Sequence, residues 1–433
     1  MYEKEYQGKL TTPEQAVKSI QKGDMLVHGL TMAEPPALLK AVADRLRGGD
    51  LEKIRMFSVI PLDSVCSTVL APDLVDCVEA YSGFVDSGTR GLVSAGLNYY
   101  VPNHLHQIPR LLEEFIGVDV CITTVSPMDD AGYFSFGTAN DFTSTAARAA
   151  RVLIVEVNRN MPRVFGDSLI HISEVDAVVE NHQAISDFPC GEKQPEADII
   201  GKKISELVPD GATIQMGIGV LPNAVAEQLE NHSDLGIHTE VFGPGMVHLI
   251  KKGVITGEKK TLHPRKHVFT VAQGDQEMLE FMNQNPAMES YPCSYVNNPA
   301  VIAKNDRMIS INSLIQVDLL GQCNAEYLAG HQYSGTGGQL DFVRGAFDSR
   351  GGKSILAFYS TARKGTVSRV VDHLDPGAMV TTPRMDTHYL VTEYGVANLK
   401  GKSTRERAHE IINIAHPRFR EELYRRAEEM YII

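Results

Sequence analysis

Glu240, in the run Gly236-Ile-His-Thr-Glu-Val-Phe-Gly-Pro-Gly245, follows a glycine-rich segment, Gln215-Met-Gly-Ile-Gly-Val-Leu-Pro222. A carboxylate beside such a turn can attack an activated acyl group, and backbone N–H groups of the turn can stabilise the negative charge that develops on oxygen. Acyl transfer through the Glu240 side chain is therefore the chemistry these two segments offer. Taken alone, Gly217-x-Gly219 serves equally well as a tight strand-to-helix turn that needs positive φ. Glu240 alone reads as an exposed loop or cap carboxylate. The surroundings favour the reactive reading, because Gly243-Pro-Gly245 lets another backbone approach closely and small apolar neighbours can shield the carboxylate from water.

Other nucleophile and cofactor patterns are missing. Pro222 stands where the third glycine of a dinucleotide fingerprint would be. No G-x-S-x-G elbow is present. The six cysteines and fifteen histidines fall into no metal-ligand spacing, so no metal is expected. A third glycine cluster, Tyr333-Ser-Gly-Thr-Gly-Gly-Gln-Leu-Asp-Phe-Val-Arg-Gly-Ala346, could cradle a phosphate or pantetheine, or be a plain linker. Within it Asp341 and Arg344, three apart, are expected to pair with each other. Ser126-Pro-Met-Asp-Asp-Ala-Gly-Tyr-Phe-Ser135 reads as a turn after a strand.

The elements that must position these residues are those of an α/β protein with mostly parallel sheets. The runs 119–126, 151–157 and 307–312 are dense in β-branched residues, as strands buried on both faces require. Thr12-Pro-Glu reads as a helix start, and the tract 417–430, with Phe419, Leu423 and Tyr424 on one side, as a surface-packed final helix. A polar, proline- and glycine-rich stretch at 181–198 divides the chain into domains 1–190 and 191–433.

The two halves share a pattern. Ser19 to Leu39 and Val208 to Val225 each read as Gly turn, short apolar strand, Gly-containing loop, then a proline opening a helix. Leu153-Ile-Val-Glu-Val157 and Leu390-Val-Thr-Glu-Tyr394 are matched later in each half. A duplicated α/β domain is the simplest account. A pseudo-two-fold would bring the first-half loop 28–34 to face the Gly217 turn, and Thr31, Met32 and Val59 would then line an apolar substrate pocket. A second carboxylate on the substrate would need a cation, for which Arg90 or His104 are the candidates.

Composition bounds the rest. With 433 residues, 43% hydrophobic and 22% charged, the chain is an ordinary globular protein with material for two cores. Its net charge of −13 argues against a nucleic-acid partner. No long apolar run and no leader are present, so no membrane partner and a cytoplasmic location with reduced thiols are expected.

The Glu240 and Gly217 segments, the 334–346 run, Thr392-Glu-Tyr-Gly-Val-Ala-Asn-Leu-Lys-Gly-Lys-Ser403 and Ile414-Ala-His-Pro417 together resemble the acetyl-CoA hydrolase/transferase family, in its order and over essentially the whole chain. The 4-hydroxybutyrate and butyryl CoA-transferases are the most similar branch. The resemblance implies two similar open α/β domains with the active site between them, and a glutamyl-CoA thioester at Glu240 with Gln215 close by. It implies coenzyme A binding at Gly217, Ile218, Gly219, Val220 and Leu221, and at Ile315 and Gly338. It implies CoA or acyl-CoA as substrate with no permanently bound cofactor, and a homodimer or homotetramer. Butyrate, 4-hydroxybutyrate and itaconate are the acids expected, with acetyl-CoA or succinyl-CoA as donor. An acyl-CoA hydrolase on the same scaffold is the rival, and a non-catalytic nucleotide-binding protein the more distant one.

Overall fold

In the computed structural model of the chain, residues 2–188, 194–217 and 219–433 are described. They form two compact units: residues up to 188 with 242–244 and 268–296, and residues from 194 onward without those two segments. A division at 190 alone misses the return of 268–296 to the first unit. That return is fixed by main-chain bonds: Asn140 and Asp141 N–H donate to the Thr270 carbonyl (3.1 and 3.2 Å), and Cys293 N–H to the Asp141 carbonyl (2.9 Å).

The N-terminal unit is built on β1 (Met25–His28), β2 (Ile54–Val59), β3 (Val78–Phe84), β4 (Asn98–Tyr100), β5 (Val120–Val125), β6 (Val152–Val157) and β7 (Ala177–Glu180). They lie in the order β7-β6-β5-β1-β2-β3-β4, every neighbour parallel. All six side chains of β5 are buried, as expected of a strand covered on both faces. Helix α1 (Pro36–Gly48) crosses from β1 to β2 and buries Leu38, Leu39, Val42 and Leu46 against Leu26, Ile54, Met56 and Ile122. Pro36 starts it, where a missing N–H costs nothing, and Gly49 at φ 76° ends it. The Glu156 carboxylate on β6 accepts the Leu38 N–H (3.0 Å) and the Asn181 amide (2.7 Å), tying the start of α1 to the sheet.

The C-terminal unit contains β8 (Thr213–Met216), β9 (Gly236–Phe242), β10 (Met308–Ser313), β11 (Lys353–Ala357), β12 (Tyr389–Thr392) and β13 (Gly395–Asn398). Its strands run in the order β13-β12-β11-β10-β8-β9, parallel except for the β12–β13 hairpin. Helices α2 (Pro195–Ser205), α3 (Val220–Gln228), α4 (Gln339–Asp348), α5 (Thr404–Ile414) and α6 (Pro417–Glu429) accompany them. Ser403 and Glu406 close a capping box at the start of α5. Leu423 of α6 is buried, and Phe419 and Tyr424 pack partly onto the same core.

The order β6-β5-β1-β2 of the first unit recurs as β11-β10-β8-β9 in the second. By position β6 therefore corresponds to β11 and β7 to β12, so the matching of 153–157 with 390–394 is off by one strand. An apolar run ending in glutamate is too common in parallel sheets to fix a correspondence. In each unit the chain lays strands to one side and then starts again on the other, between β1 and β5 and between β8 and β10. Ligands of such sheets bind at the strand C-termini beside that switch.

Gly29 ends β1 at the switch of the first unit. A Cβ there would overlap the Thr123 hydroxyl and the Ala33 carbonyl oxygen. Gly29→Ala is expected to destabilise the protein by about 1–3 kcal/mol, as overpacking does. Urea denaturation measures this, and an unchanged midpoint would contradict the packing.

Candidate active site

Glu240 lies near the end of β9, beside the turn that leaves β8. The register pairs Thr213 with Gly236 and Ile214 with Ile237, and continuing it sets Glu240 opposite Gly217. The Thr239 hydroxyl, donating to the Met216 carbonyl at 3.3 Å, holds the strands together at that level. The Glu240 side chain keeps partial access to solvent.

Among the described residues, two groups hold the carboxylate. The Asn297 amide donates to Oε2 at 2.7 Å, and the Gly338 N–H donates as well. A Cβ on Gly338 would overlap Glu240 Oε2 and the Asn297 amide nitrogen, so the carboxylate occupies space that any larger residue would fill. Burial lifts the Glu240 carboxyl to about 7, and the Asp341 charge adds to the lift. The bonds from Asn297 and Gly338 act the other way, favouring the charged form.

Gly338 caps α4, and Asp341 sits in the first turn of that helix, 2% exposed. The expected Asp341–Arg344 pair does not form. Arg344 turns outward to Asp386 at 3.0 Å, while Asp341 faces the core. Amphipathicity separates them: neighbours on a helix surface can still lie on opposite sides of its waterline.

Gln215 on β8 is 3% exposed and bonds across the switch to β10. Its Oε1 accepts from Ile311 N–H and the Asn312 amide, both at 3.2 Å, and its own amide donates to Asn312 Oδ1 at 3.3 Å. It braces the strand that delivers the glycine turn. Gly219, at φ 118° and ψ −171°, is the N-cap of α3. That conformation favours glycine, and it leaves the first N–H groups of α3, at Val220 and Leu221, available to an anionic group. Gly217 ends the strand, and Ile218 lies outside the described residues. Ile315 is half-buried just beyond β10, its N–H bonded to the Asn324 carbonyl at 2.7 Å.

The N-terminal unit carries a cavity of about 270 Å³ at its own switch, with Thr31, Met32, Glu34, Asp63, Ser64 and Thr124 among its lining residues. Thr31 (φ 46°) and Ile60 (φ 45°) are β-branched residues in the left-handed region, a strain that marks functional sites. The Thr31 hydroxyl is buried without a hydrogen-bond partner among the described residues. Glu34 accepts the Leu62 N–H at 2.6 Å and the Ser64 hydroxyl, and burial raises its carboxyl to about 8.

Val59 does not line this cavity. It sits at the end of β2, packed beside Gly83. The register of β1 on β2, continued from Val27 opposite Phe57, puts Val59 opposite Gly29, the position Glu240 holds opposite Gly217. Arg90 and His104 do not line the cavity either, and its lining includes no Lys, Arg or His.

Asn297 is the residue that sequence reasoning missed. In Asn297-Asn298-Pro299 the second asparagine caps a short helix, accepting the Ala300 N–H at 3.0 Å. The pair therefore reads as turn chemistry, and no spacing signal links Asn297 to Glu240.

Residues 1–188 match the model of the acetyl-CoA hydrolase/transferase N-terminal domain, and residues 274–427 that of the C-terminal domain. The chain is 44% identical to a 4-hydroxybutyrate coenzyme A transferase of Clostridium kluyveri, over 98% of each chain. It is 42% identical to a succinyl-CoA:cyclohexane-1-carboxylate CoA transferase of Geobacter metallireducens, over 99% of this chain and 97% of the relative. Among solved structures, RipA from Yersinia pestis matches with a TM-score of 0.97 at 51% identity, covering 100% of both chains.

Asn297→Ala removes a bond that favours the ionised carboxylate, so the Glu240 pKa is expected to rise above about 7. Carboxyl-directed chemical labelling of Glu240 as a function of pH, read by peptide mass, measures the midpoint. A midpoint that stays put or falls would remove Asn297 from the site.

Proposed function

The chain belongs to the acetyl-CoA hydrolase/transferase family as a CoA-transferase, and we propose that it moves CoA from a short acyl-CoA to a C4–C5 carboxylic acid by a ping-pong route through Glu240. One observation carries this reading: a carboxylate with partial solvent access, deprived of most of its water, held among the described residues by Asn297 and Gly338, beside a glycine turn that opens a helix. Such a group is reactive once ionised, and the N–H groups of the turn stand ready for an oxyanion.

A Glu240 carboxylate oxygen attacks the acyl-CoA carbonyl. The C–S bond breaks, CoA leaves as thiolate, and a mixed anhydride remains. The thiolate attacks the glutamyl carbonyl, the anhydride C–O bond breaks, and the first acid leaves with its oxygen from Glu240. The glutamyl-CoA thioester is then resolved by a second acid through the same steps in reverse. Each addition makes a tetrahedral oxyanion, for which one preorganised donor typically contributes about 2.7–4 kcal/mol. One thioester is exchanged for another, so the chemistry consumes neither ATP nor a metal and needs no permanently bound cofactor.

Gly217, Ile218, Gly219, Val220 and Leu221, with Ile315 and Gly338, are the proposed CoA-binding positions, and Gln215 braces them. Thr31 and Met32 of the N-terminal cavity are proposed to select the acid. Butyrate, 4-hydroxybutyrate and itaconate are the acids tested first, with acetyl-CoA and succinyl-CoA as donors. The 4-hydroxybutyrate and butyryl-CoA in two relatives' names support short acids, while a third is named for the larger cyclohexane-1-carboxylate.

Glu240→Ala is expected to abolish exchange while CoA binding survives. Intact mass after adding acyl-CoA should show a CoA adduct in the parent protein and none in the variant, with borohydride reduction mapping to Glu240. Undiminished exchange by the variant would end the reading, and CoA release without an acceptor acid would make the protein a hydrolase. The ionised carboxylate is the nucleophile, so the rate should climb with pH and level off above about 7.

The proposed acid-selecting role of Thr31 and Met32 gives their cavity a pH effect of its own. Below about 8 burial keeps Glu34 protonated, and above it the group becomes negative. The KM for itaconate should therefore rise relative to that for butyrate as pH passes 8. A constant ratio would take Glu34 out of acid selection.

A further inference from the structure

Glu326 lies far along the chain from Glu240 and takes no part in the chemistry above, yet it is 6% exposed and heavily engaged. Its Oε1 accepts the Thr336 hydroxyl at 3.1 Å and the Thr381 hydroxyl at 2.9 Å, and its Oε2 accepts the Gln332 amide at 3.0 Å. Its backbone carbonyl takes the N–H groups of Tyr333 (2.8 Å) and Ser334 (3.0 Å). Gln332 also donates to the Ser334 carbonyl at 2.8 Å. One glutamate thus fastens the loop 332–336 through both side chain and main chain.

The base under it is firm. Ala325 N–H donates to the Thr381 hydroxyl at 2.9 Å, and Cys323 and Thr382 exchange two main-chain bonds, each 3.0 Å. Beyond the fastened loop the path to the helix is short: the Thr336 carbonyl accepts the Gln339 N–H at 3.2 Å, Gly337 turns at φ 54°, and Gly338 caps α4. Gly338 is the residue whose N–H meets the Glu240 carboxylate.

We propose that Glu326 is a positioning residue for the reaction, gripping Thr336 so that the Gly338 N–H stays aimed at the Glu240 carboxylate. The geometry suits that task, because a single glycine, Gly337, separates the gripped residue from the cap, and glycine has the widest conformational freedom of any residue. Without a grip at Thr336 the N–H would sample other directions and the carboxylate would lose part of its donor set. The inference rests on the reading of Glu240 as the nucleophile.

Glu326→Gln and Thr336→Val test it from the two ends of the same hydrogen bond. The first replaces the acceptor, and the second removes the hydroxyl and leaves Glu326 intact. In both, the midpoint for carboxyl labelling of Glu240 should move up by about one pH unit, the size of losing most of a hydrogen bond to a charged group. Asp341, the charged group acting on Glu240, is untouched by either change. At a pH below the midpoint, thioester formation in a single turnover should slow about tenfold in proportion. KM for acyl-CoA should change less than kcat, since the turn before α3 is intact.

A purely structural Glu326 would lower the melting temperature and the active fraction without moving the labelling midpoint. That result in Thr336→Val, folded by circular dichroism, overturns the proposal. The labelling midpoint needs no turnover, so it decides the role of Glu326 even if no thioester forms on Glu240 in the parent protein, an outcome that would instead remove the nucleophile reading.

Discussion

The withdrawal of one carboxylate from water is the constraint on which the C-terminal unit turns. Taking Glu240 out of solvent disfavours its charged form, and among the described residues Asn297 and the Gly338 N–H compensate. The consequence for stability has a definite sign. Below about 4.5 the group is protonated whether the chain is folded or not, and it costs nothing. Between there and about 7 the unfolded chain releases the proton while the folded one retains it, so stability falls as pH rises; above about 7 the loss is constant. Its size is at most about 3 kcal/mol. Glu34 follows the same logic up to about 8, and Asp141 and Glu156 up to about 7. The fold tolerates these buried acids because each accepts main-chain or side-chain hydrogen bonds.

The repeated strand order shows how one scaffold serves two tasks. Gly29 and Gly217 end corresponding strands, and the residues opposite them are Val59 in one unit and Glu240 in the other. Val59 packs into the first unit's interior, whereas Glu240 takes hydrogen bonds from Asn297 and Gly338. The loops that follow diverge in the same sense. After β8 the chain uses Gly219 at positive φ to open a helix. After β1 it forces Thr31 into the left-handed region beside a cavity with acidic and hydroxyl-bearing walls. The shared strand order keeps the framework alike and leaves the switch-point residues different.

How much of this was legible in the sequence follows from the range of each interaction. The buried parallel strands announced themselves through β-branched runs, and 151–157 appears as Val152–Val157. The start at Thr12 was equally local: its hydroxyl accepts the Gln15 N–H at 3.4 Å. The glycine turn was readable because positive φ leaves a residue-type signature. What could not be read depends on distant segments meeting. Asn297 reaches Glu240 across 57 positions, and its own neighbourhood looks like an ordinary helix cap. The return of 268–296 to the first unit leaves no mark in composition. Arg344 choosing Asp386 over Asp341 is decided by which way α4 faces its core.

The placement of glycines around Glu240 meets two opposed demands that the proposed nucleophile role would make. A carboxylate is more reactive when dry, and the surest way to dry it is to pack side chains around it. A carbonyl carbon must nonetheless come within bonding distance of one of its oxygens, which packed side chains would prevent. Gly338 settles this by presenting backbone where a Cβ would collide, so the carboxylate is covered by a peptide group that also donates a hydrogen bond. Gly219 works by the opposite property, since a Cβ on it would meet nothing within 4 Å, which leaves room above the first N–H groups of α3. One glycine is needed because the space is full, the other because its φ forbids most side chains. Together they let the carboxylate be covered by backbone while the start of α3 stays uncrowded.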